Sequence, residues 1–382
     1  MEQIAYPWLV LDLTNNNAAH VGGMMAARVL PQLFFGLWAG VIADWFDRKM
    51  LLFGTKFAVL LLQITFATIL VTGNIELWHV YALSFIRGTF TAFDQPARQS
   101  LVADSVPSEL LTNAVALMSA TQNFMRIFGV MASGLLIALL GINGTFTTMA
   151  VVYLVTVIAT WLIDVPSKNR THEDTTITSD LAEGLRFAWS SAPIRGVILL
   201  SLVFYGFAMM WMQLFAALIA RTVLDIGALG FSALVSAGGI GALIGSLTLA
   251  AKPSHTPGRR IATSVTMMGI SLMLFGAAPS LPDPFGLAIT FVTIFAVGIF
   301  HGVYLPLSYT IVLTAAPDDF RGRVVSIISL DRGMTTVGAI GGGLLAANLG
   351  VQNTQLLYGG LTFLGGFAII ALAQGMRDYR IR

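Results

Sequence analysis

The chain has no cysteine and little charge: among its 382 residues there is no Cys, and Asp, Glu, Lys and Arg together make up 10%. Without cysteine there can be no disulfide, no thiolate nucleophile and no cysteine metal ligand. A soluble domain carries about 25% charged residues, so the low charge argues against water as the main solvent. Enzyme signatures are also missing. There is no His-Glu-x-x-His and no Gly-x-Ser-x-Gly, and Gly338-Ala-Ile-Gly341-Gly342-Gly343 lacks the Lys-Ser/Thr ending of a phosphate loop. Neither catalysis, a cofactor nor a metal is expected. The net charge is +2 and the sequence pI about 9.0, but the basic residues sit in short loops, which leaves no footprint for nucleic acid. The opening Met1-Glu2-Gln3-Ile4 lacks a basic n-region, so a cleavable signal peptide is not expected.

What the chain has is apolar surface, 56% hydrophobic residues with a mean hydropathy of +0.80. A globular core cannot bury that much, so lipid must solvate most of the chain, and each crossing must be helical to satisfy its backbone. Apolar spans read at about 1–14, 17–43, 50–72, 77–97, 110–139, 144–164, 195–221, 228–251, 261–280, 284–313, 324–349 and 352–376. The first is too short to cross a bilayer of about 30 Å. Sixteen Lys and Arg, Arg48, Lys49, Lys168, Arg259, Arg321 and Arg382 among them, fall in the even-to-odd loops and the C-terminus; the opposite loops hold only Arg221. The positive-inside rule therefore places those loops and the C-terminus in the cytoplasm.

A polar stretch at 165–194 divides six spans from six, giving an N-terminal bundle over 1–164, a cytoplasmic linker over 165–194 and a C-terminal bundle over 195–382. Within the linker, Leu181, Leu185 and Trp189 recur every four residues and predict an amphipathic helix on the membrane surface. The halves resemble each other. Val106-Pro107-Ser108-Glu109 aligns with Ala316-Pro317-Asp318-Asp319, Gly134-Leu135-Leu136 with Gly343-Leu344-Leu345, and Gly141 with Gly350. A direct six-helix repeat puts the pseudo-twofold along the membrane normal, with a substrate path between the halves.

Gly36, Gly40, Asp44 and Arg48 recur every four residues and share a helical face where span two leaves the membrane. The segment Gly40-Val-Ile-Ala-Asp44-Trp-Phe-Asp47-Arg48-Lys49 resembles the signature Gly-x-x-x-Asp-Arg-x-x-Arg-Arg of the major facilitator superfamily, with Trp45 in place of the first arginine. Phe93-Asp94-Gln95-Pro96-Ala97-Arg98-Gln99, Arg321-Gly322-Arg323-Val324 and Asn123-Phe-Met-Arg126-Ile-Phe-Gly129 resemble segments of its bacterial efflux branch, which includes enterobactin exporters; Val130 stands where the fifth-helix pattern often has proline. The resemblance covers nearly the whole chain. It implies an all-α polytopic membrane protein of the major facilitator fold, two six-helix bundles with about twelve transmembrane helices and the first one truncated. It implies a monomer in the bacterial inner membrane, with a small organic molecule, protons and lipids as partners. By that resemblance Gly40, Asp44, Arg48, Asp94, Arg321 and Arg323 form a cytoplasmic gate. Arg48 would pair with Asp94, and Asp44 would accept backbone N–H bonds near Val324, where a carboxylate suits a helix start.

Ionisable groups inside spans normally face a cavity or a partner. Arg28, Arg87, Arg126, Asp331 and Arg332 are such groups. Arg87-Gly88 resembles the fourth-helix motif of proton-coupled exporters, and Asp331 is the one acid well inside a later span, so Arg87 and Asp331 are each an expected proton-coupling residue; Asp12 is a second acid. Arg28 reads as snorkelling or as facing a neighbouring helix. Arg126 and Asn123, Trp211 and Gln213, and His301 with Tyr304 are expected to line the substrate cavity, with Met209, Met210 and Met212 adding an adaptable surface. Gly241 with Gly245, and Gly338 with Gly342, have the spacing of close helix contacts. The expected function is a secondary active transporter that exports a siderophore- or drug-like molecule by alternating access, with proton antiport. A facilitator or importer of the same fold, and a flippase-like or non-transporting membrane component, are the alternatives.

Overall fold

The computed structural model describes residues 1–45, 47–106, 111–163, 185–252, 255–317, 324 and 333–380. Among them there is no strand. The helices are α1 (Glu2–Leu13), α2 (Ala18–Trp45), α3 (Arg48–Val71), α4 (Leu77–Asp104), α5 (Leu111–Leu162), α6 (Ala192–Val223), α7 (Gly227–Ala251), α8 (Pro257–Ala277), α9 (Phe285–Ala315), α10 (Met334–Leu349) and α11 (Val351–Leu372). Seven described helical stretches are long and apolar enough to cross a membrane, Ile127–Leu162 of α5 and all of α6 among them.

Turn chemistry sets the boundaries. Asn15 and Asn16 take left-handed conformations (φ 50° and 66°), which Asn tolerates better than most residues, and Asn17 Oδ1 then accepts the Ala19 N–H at 2.9 Å to start α2. Asp47 caps α3 by accepting the Met50 N–H at 2.8 Å. The 52 residues of α5 are two limbs broken at Gly141, where φ is 68° and ψ −176°. Gly350, which the sequence repeat aligns with Gly141, parts α10 from α11 with φ 83° and ψ 155°. Only glycine enters that region cheaply, so the same backbone device turns the chain at both places. In α6, π-helical turns occur at Phe204–Ala208, Trp211–Phe215 and Ile219–Val223, a feature that no residue spacing announced.

The chain divides into two compact units, Met1–His172 with Ala228–Ser232, and Glu173–Gly227 with Ala233–Arg382. In the first, α2 packs on α4, α3 packs on α4 and α5, and α1 touches α2, α4 and α5. Gly88 allows the α2–α4 approach, since a Cβ there would stand 2.1 Å from the Arg28 carbonyl oxygen. In the second, α8 packs on α9 and α11, and α6 on α9, α10 and α11. Gly241 and Gly245 meet α9 as their spacing predicts; their Cβ positions lie 2.2 Å from the Phe295 carbonyl oxygen and 2.1 Å from that of Ile299. Large apolar side chains such as Val71, Leu139, Val155, Leu162, Phe285 and Leu372 remain exposed, as lipid-facing surfaces require. In the linker, residues 185–190 are helical with Leu185 and Trp189 exposed; 164–184, including Leu181, lie outside the described residues.

Candidate functional site

Five helices of the first unit converge on one carboxylate, that of Glu2 on α1. Arg28 of α2 forms a salt bridge and hydrogen bond to Glu2 Oε2 through Nη2. Arg87 of α4 approaches Oε1 with Nε at 3.3 Å. Tyr153 of α5 donates to Oε1 at 2.9 Å, and Gln63 Nε2 of α3 donates to the same oxygen at 3.1 Å. The side chains of Glu2 and Arg87 are 12% and 15% exposed. The two cations and the anion are thus largely withdrawn from solvent, where paired charges attract strongly and unpaired ones are costly.

The arginines have further partners. Arg87 donates through Nη2 to the Tyr153 hydroxyl at 2.8 Å and through Nη1 to Thr91 Oγ1 at 2.6 Å, one turn along its own helix. Its guanidinium lies 5.6 Å from the Tyr153 ring centre, and that of Arg28 lies 5.9 Å from the Tyr6 ring, within cation–π range. One turn along α1 from Glu2, Tyr6 meets Phe66 and Phe146 edge-on, and those two rings stack at 4.7 Å. This buried aromatic triple closes one side of the polar network. On another side, a cleft of about 420 Å³ is lined by Glu2, Arg28, Lys56, Met149, Tyr153 and Thr156 among others. The arrangement is suited to holding a carboxylate charged, and to registering a proton on it by the release of two guanidiniums.

A second ionic cluster lies about two turns along α4 from Arg87. Asp94 binds Lys56 Nζ of α3 at 2.6 Å, and Arg98 Nε stands 3.9 Å away. Asp94 was expected in the gate with Arg48; Lys56 enters as its partner on α3. In the second unit, Tyr304 stacks on Phe204 at 3.7 Å, and His301 meets Phe204 and Trp211 edge-on at 5.4 and 6.5 Å. Trp211, His301 and Tyr304 are therefore brought together, buried between α6 and α9, with Gln213 half-buried nearby on α6. The side chains of Gly40, Asp44, Arg48, Asn123 and Arg126, and the residues Arg321, Arg323, Asp331 and Arg332, lie outside the described residues.

Of the expected coupling residues, Arg87 joins the network. Arg28, read as snorkelling or facing a neighbour, faces α1. Glu2, Gln63, Tyr153 and the pairing role of Lys56 were missed. One signal was available for Glu2: three arginines inside apolar spans of one half, Arg28, Arg87 and Arg126, require an anion, and span one holds only Glu2 and Asp12 as acids.

The family model described as transmembrane secretion effector matches residues 1–378. The chain belongs to that family, within the major facilitator superfamily. This major facilitator protein is 26% identical over 369 residues to the multidrug efflux pump Tap of Mycolicibacterium fortuitum, covering 92% of this chain and 87% of the relative. It is 25% identical over 363 residues to the staphyloferrin A transporter of Staphylococcus aureus (strain NCTC 8325 / PS 47), covering 94% and 88%. Among solved structures, a D-xylose-proton symporter superposes with a TM-score of 0.76 at 11% identity, covering 100% of this chain and 96% of the other. The nucleoside transporter NupG superposes at 0.75 and 13% identity, covering 99% and 94%. These likenesses show the fold. The protein is a multi-pass membrane transporter of an all-α family, not an enzyme.

Proposed function

We propose that the protein exports a small amphipathic organic molecule, siderophore- or drug-like, by alternating access in the bacterial inner membrane, in exchange for protons. The observation that carries this reading is the Glu2 carboxylate held by Arg28, Arg87, Gln63 and Tyr153. With Glu2 charged, one anion ties α1 to four other helices. A proton on Glu2 removes the charge that both guanidiniums share and loosens the tie. Arg87 keeps Thr91 and Tyr153 as partners, so the neutral state of Glu2 does not strand it. A group whose proton occupancy differs between inward- and outward-facing states biases their equilibrium, which is what coupling requires. The names of the relatives, a multidrug efflux pump and a staphyloferrin A transporter, support export of a bulky organic compound. The cytoplasmic gate assigned to Gly40, Asp44, Arg48, Asp94, Arg321 and Arg323 belongs to the same proposal, as do the bundles 1–164 and 195–382 joined by the 165–194 linker, the cytoplasmic C-terminus and the monomeric state.

A growth-sensitivity panel in a strain overproducing the protein selects a transported compound. Its flux is then measured in proteoliposomes with and without an imposed pH gradient. Wild type accumulates the compound against its gradient only when the pH gradient is present. Glu2→Gln retains downhill movement and loses the response to pH. Gradient-driven accumulation by Glu2→Gln overturns the assignment, and Asp331→Asn in the same assay identifies Asp331 as the coupling acid if it alone abolishes the response. Flux indifferent to pH in every form points to a facilitator.

A further inference from the structure

We propose that Gln63 is a two-position hydrogen-bond switch that reports whether Glu2 carries a proton. The proposal rests on Glu2 being the coupling acid. Gln63 is 1% exposed. Its Nε2 donates to Glu2 Oε1 at 3.1 Å and points to the Tyr6 hydroxyl at 3.4 Å. Its Oε1 is buried and has no hydrogen-bond partner among the described residues. A carboxamide has one donating and one accepting end. A charged carboxylate only accepts, so the donating end must face Glu2, and the accepting end is left buried without a partner among the described residues.

Protonation reverses the requirement. With the proton on Oε1, Glu2 carries an O–H that must donate there, and the amide N–H facing that oxygen no longer matches. A half-turn about the terminal torsion of Gln63, which is broad and two-fold, exchanges the ends. Oε1 then accepts from the Glu2 O–H and from the Tyr6 O–H, whose hydrogen rotates to meet it. Other groups facing Glu2 do not make this exchange. Arg28 from α2 and Arg87 from α4 only donate. The Tyr153 hydroxyl from α5 already accepts from Arg87 Nη2. Lys56 from α3, Met1 and Gln3 line the adjoining cleft. Of the groups bonded to Glu2, the Tyr153 hydroxyl and the Gln63 carboxamide can each accept as well as donate; the hydroxyl is already engaged by Arg87, whereas the carboxamide exchanges its ends and keeps Tyr6 as its second partner, its N–H groups taking the place of Oε1. The half-turn gives a neutral Glu2 a matched partner, and it converts a proton into a changed contact between α1 and α3.

Infrared difference spectroscopy of the purified full chain, between alkaline and acid pH, reads both groups. Uniform labelling of glutamine with ¹³C at the side-chain carbonyl separates the amide signal from the backbone. Acidification is expected to produce a protonated-carboxyl band that is lost in Glu2→Gln, together with a shift of one side-chain amide band. Gln63→Leu, or Gln63→Met where the first fails to fold, loses the amide shift and keeps the carboxyl band. A carboxyl band without any amide shift, or an amide shift that survives both Gln63 variants, overturns the switch while the coupling role of Glu2 stands. Absence of a carboxyl band assignable to Glu2 overturns both.

Discussion

The carboxylate of Glu2 and the guanidiniums of Arg28 and Arg87 stabilise one another only as a set. Removing the anion alone leaves two cations facing each other in a largely dry interior, and breaking such a buried pair typically costs about 3–5 kcal/mol. Glu2→Ala is therefore expected to lower the thermal unfolding midpoint in detergent more than Glu2→Gln does, since glutamine still accepts from one arginine. Glu2→Gln combined with Arg28→Gln should be less damaging than the two single effects added together, with a coupling of about 1–3 kcal/mol in the double-mutant cycle. Strict additivity would show that the pair seen between α1 and α2 carries no stability. Arg87 bonds three groups on two neighbouring helices and its own, which a planar five-donor fork can do and an ammonium cannot. Arg87→Lys is accordingly expected to keep the charge and cut gradient-driven flux about tenfold, the equivalent of about 1.4 kcal/mol; unchanged flux would reduce Arg87 to a point charge.

At the scale of elements, close helix contacts position these residues. Gly88 follows Arg87 and rests on the backbone of Arg28. A methyl group at Gly88 has no flexible side chain to displace, only the α2 carbonyl, so Gly88→Ala should separate α2 from α4 and cost about 1–3 kcal/mol. Gly54→Ala on α3, where a Cβ meets nothing within 4 Å, is the matched control and should be neutral or stabilising. Equal melting temperatures for the two variants would contradict the close α2–α4 contact. Much at this scale was legible in the sequence. Apolar runs marked the seven described stretches that can cross a membrane, Gly241 and Gly245 marked a tight contact, and Gly141 and Gly350, aligned by the repeat, both take positive φ. The π-helical turns of α6 were not legible, because an inserted residue leaves hydropathy unchanged. The pairing of Lys56 with Asp94 was hidden for another reason: residues 38 apart in sequence are joined only by the packing of α3 on α4.

For the whole molecule, the membrane fold followed from composition and from the one-sided distribution of Lys and Arg, while the site depended on where five helices meet. The segment Met1-Glu2-Gln3 looked like the start of a short span, and its spacing to Arg28, Gln63, Arg87 and Tyr153 conveys nothing until the bundle brings them together. The absence of cysteine makes sidedness directly testable. Ser179→Cys in the linker should react with a membrane-impermeant maleimide only from the cytoplasmic side, and Asn74→Cys between α3 and α4 only from outside; reversal of either contradicts the assigned orientation. The central claim is that Glu2 exchanges a proton during each transport cycle. Its most direct measurement is proton release by the purified protein, in weakly buffered detergent solution, when the compound selected by the growth panel is added. Wild type is predicted to release protons on binding and Glu2→Gln to release none. Equal release from both would contradict the claim.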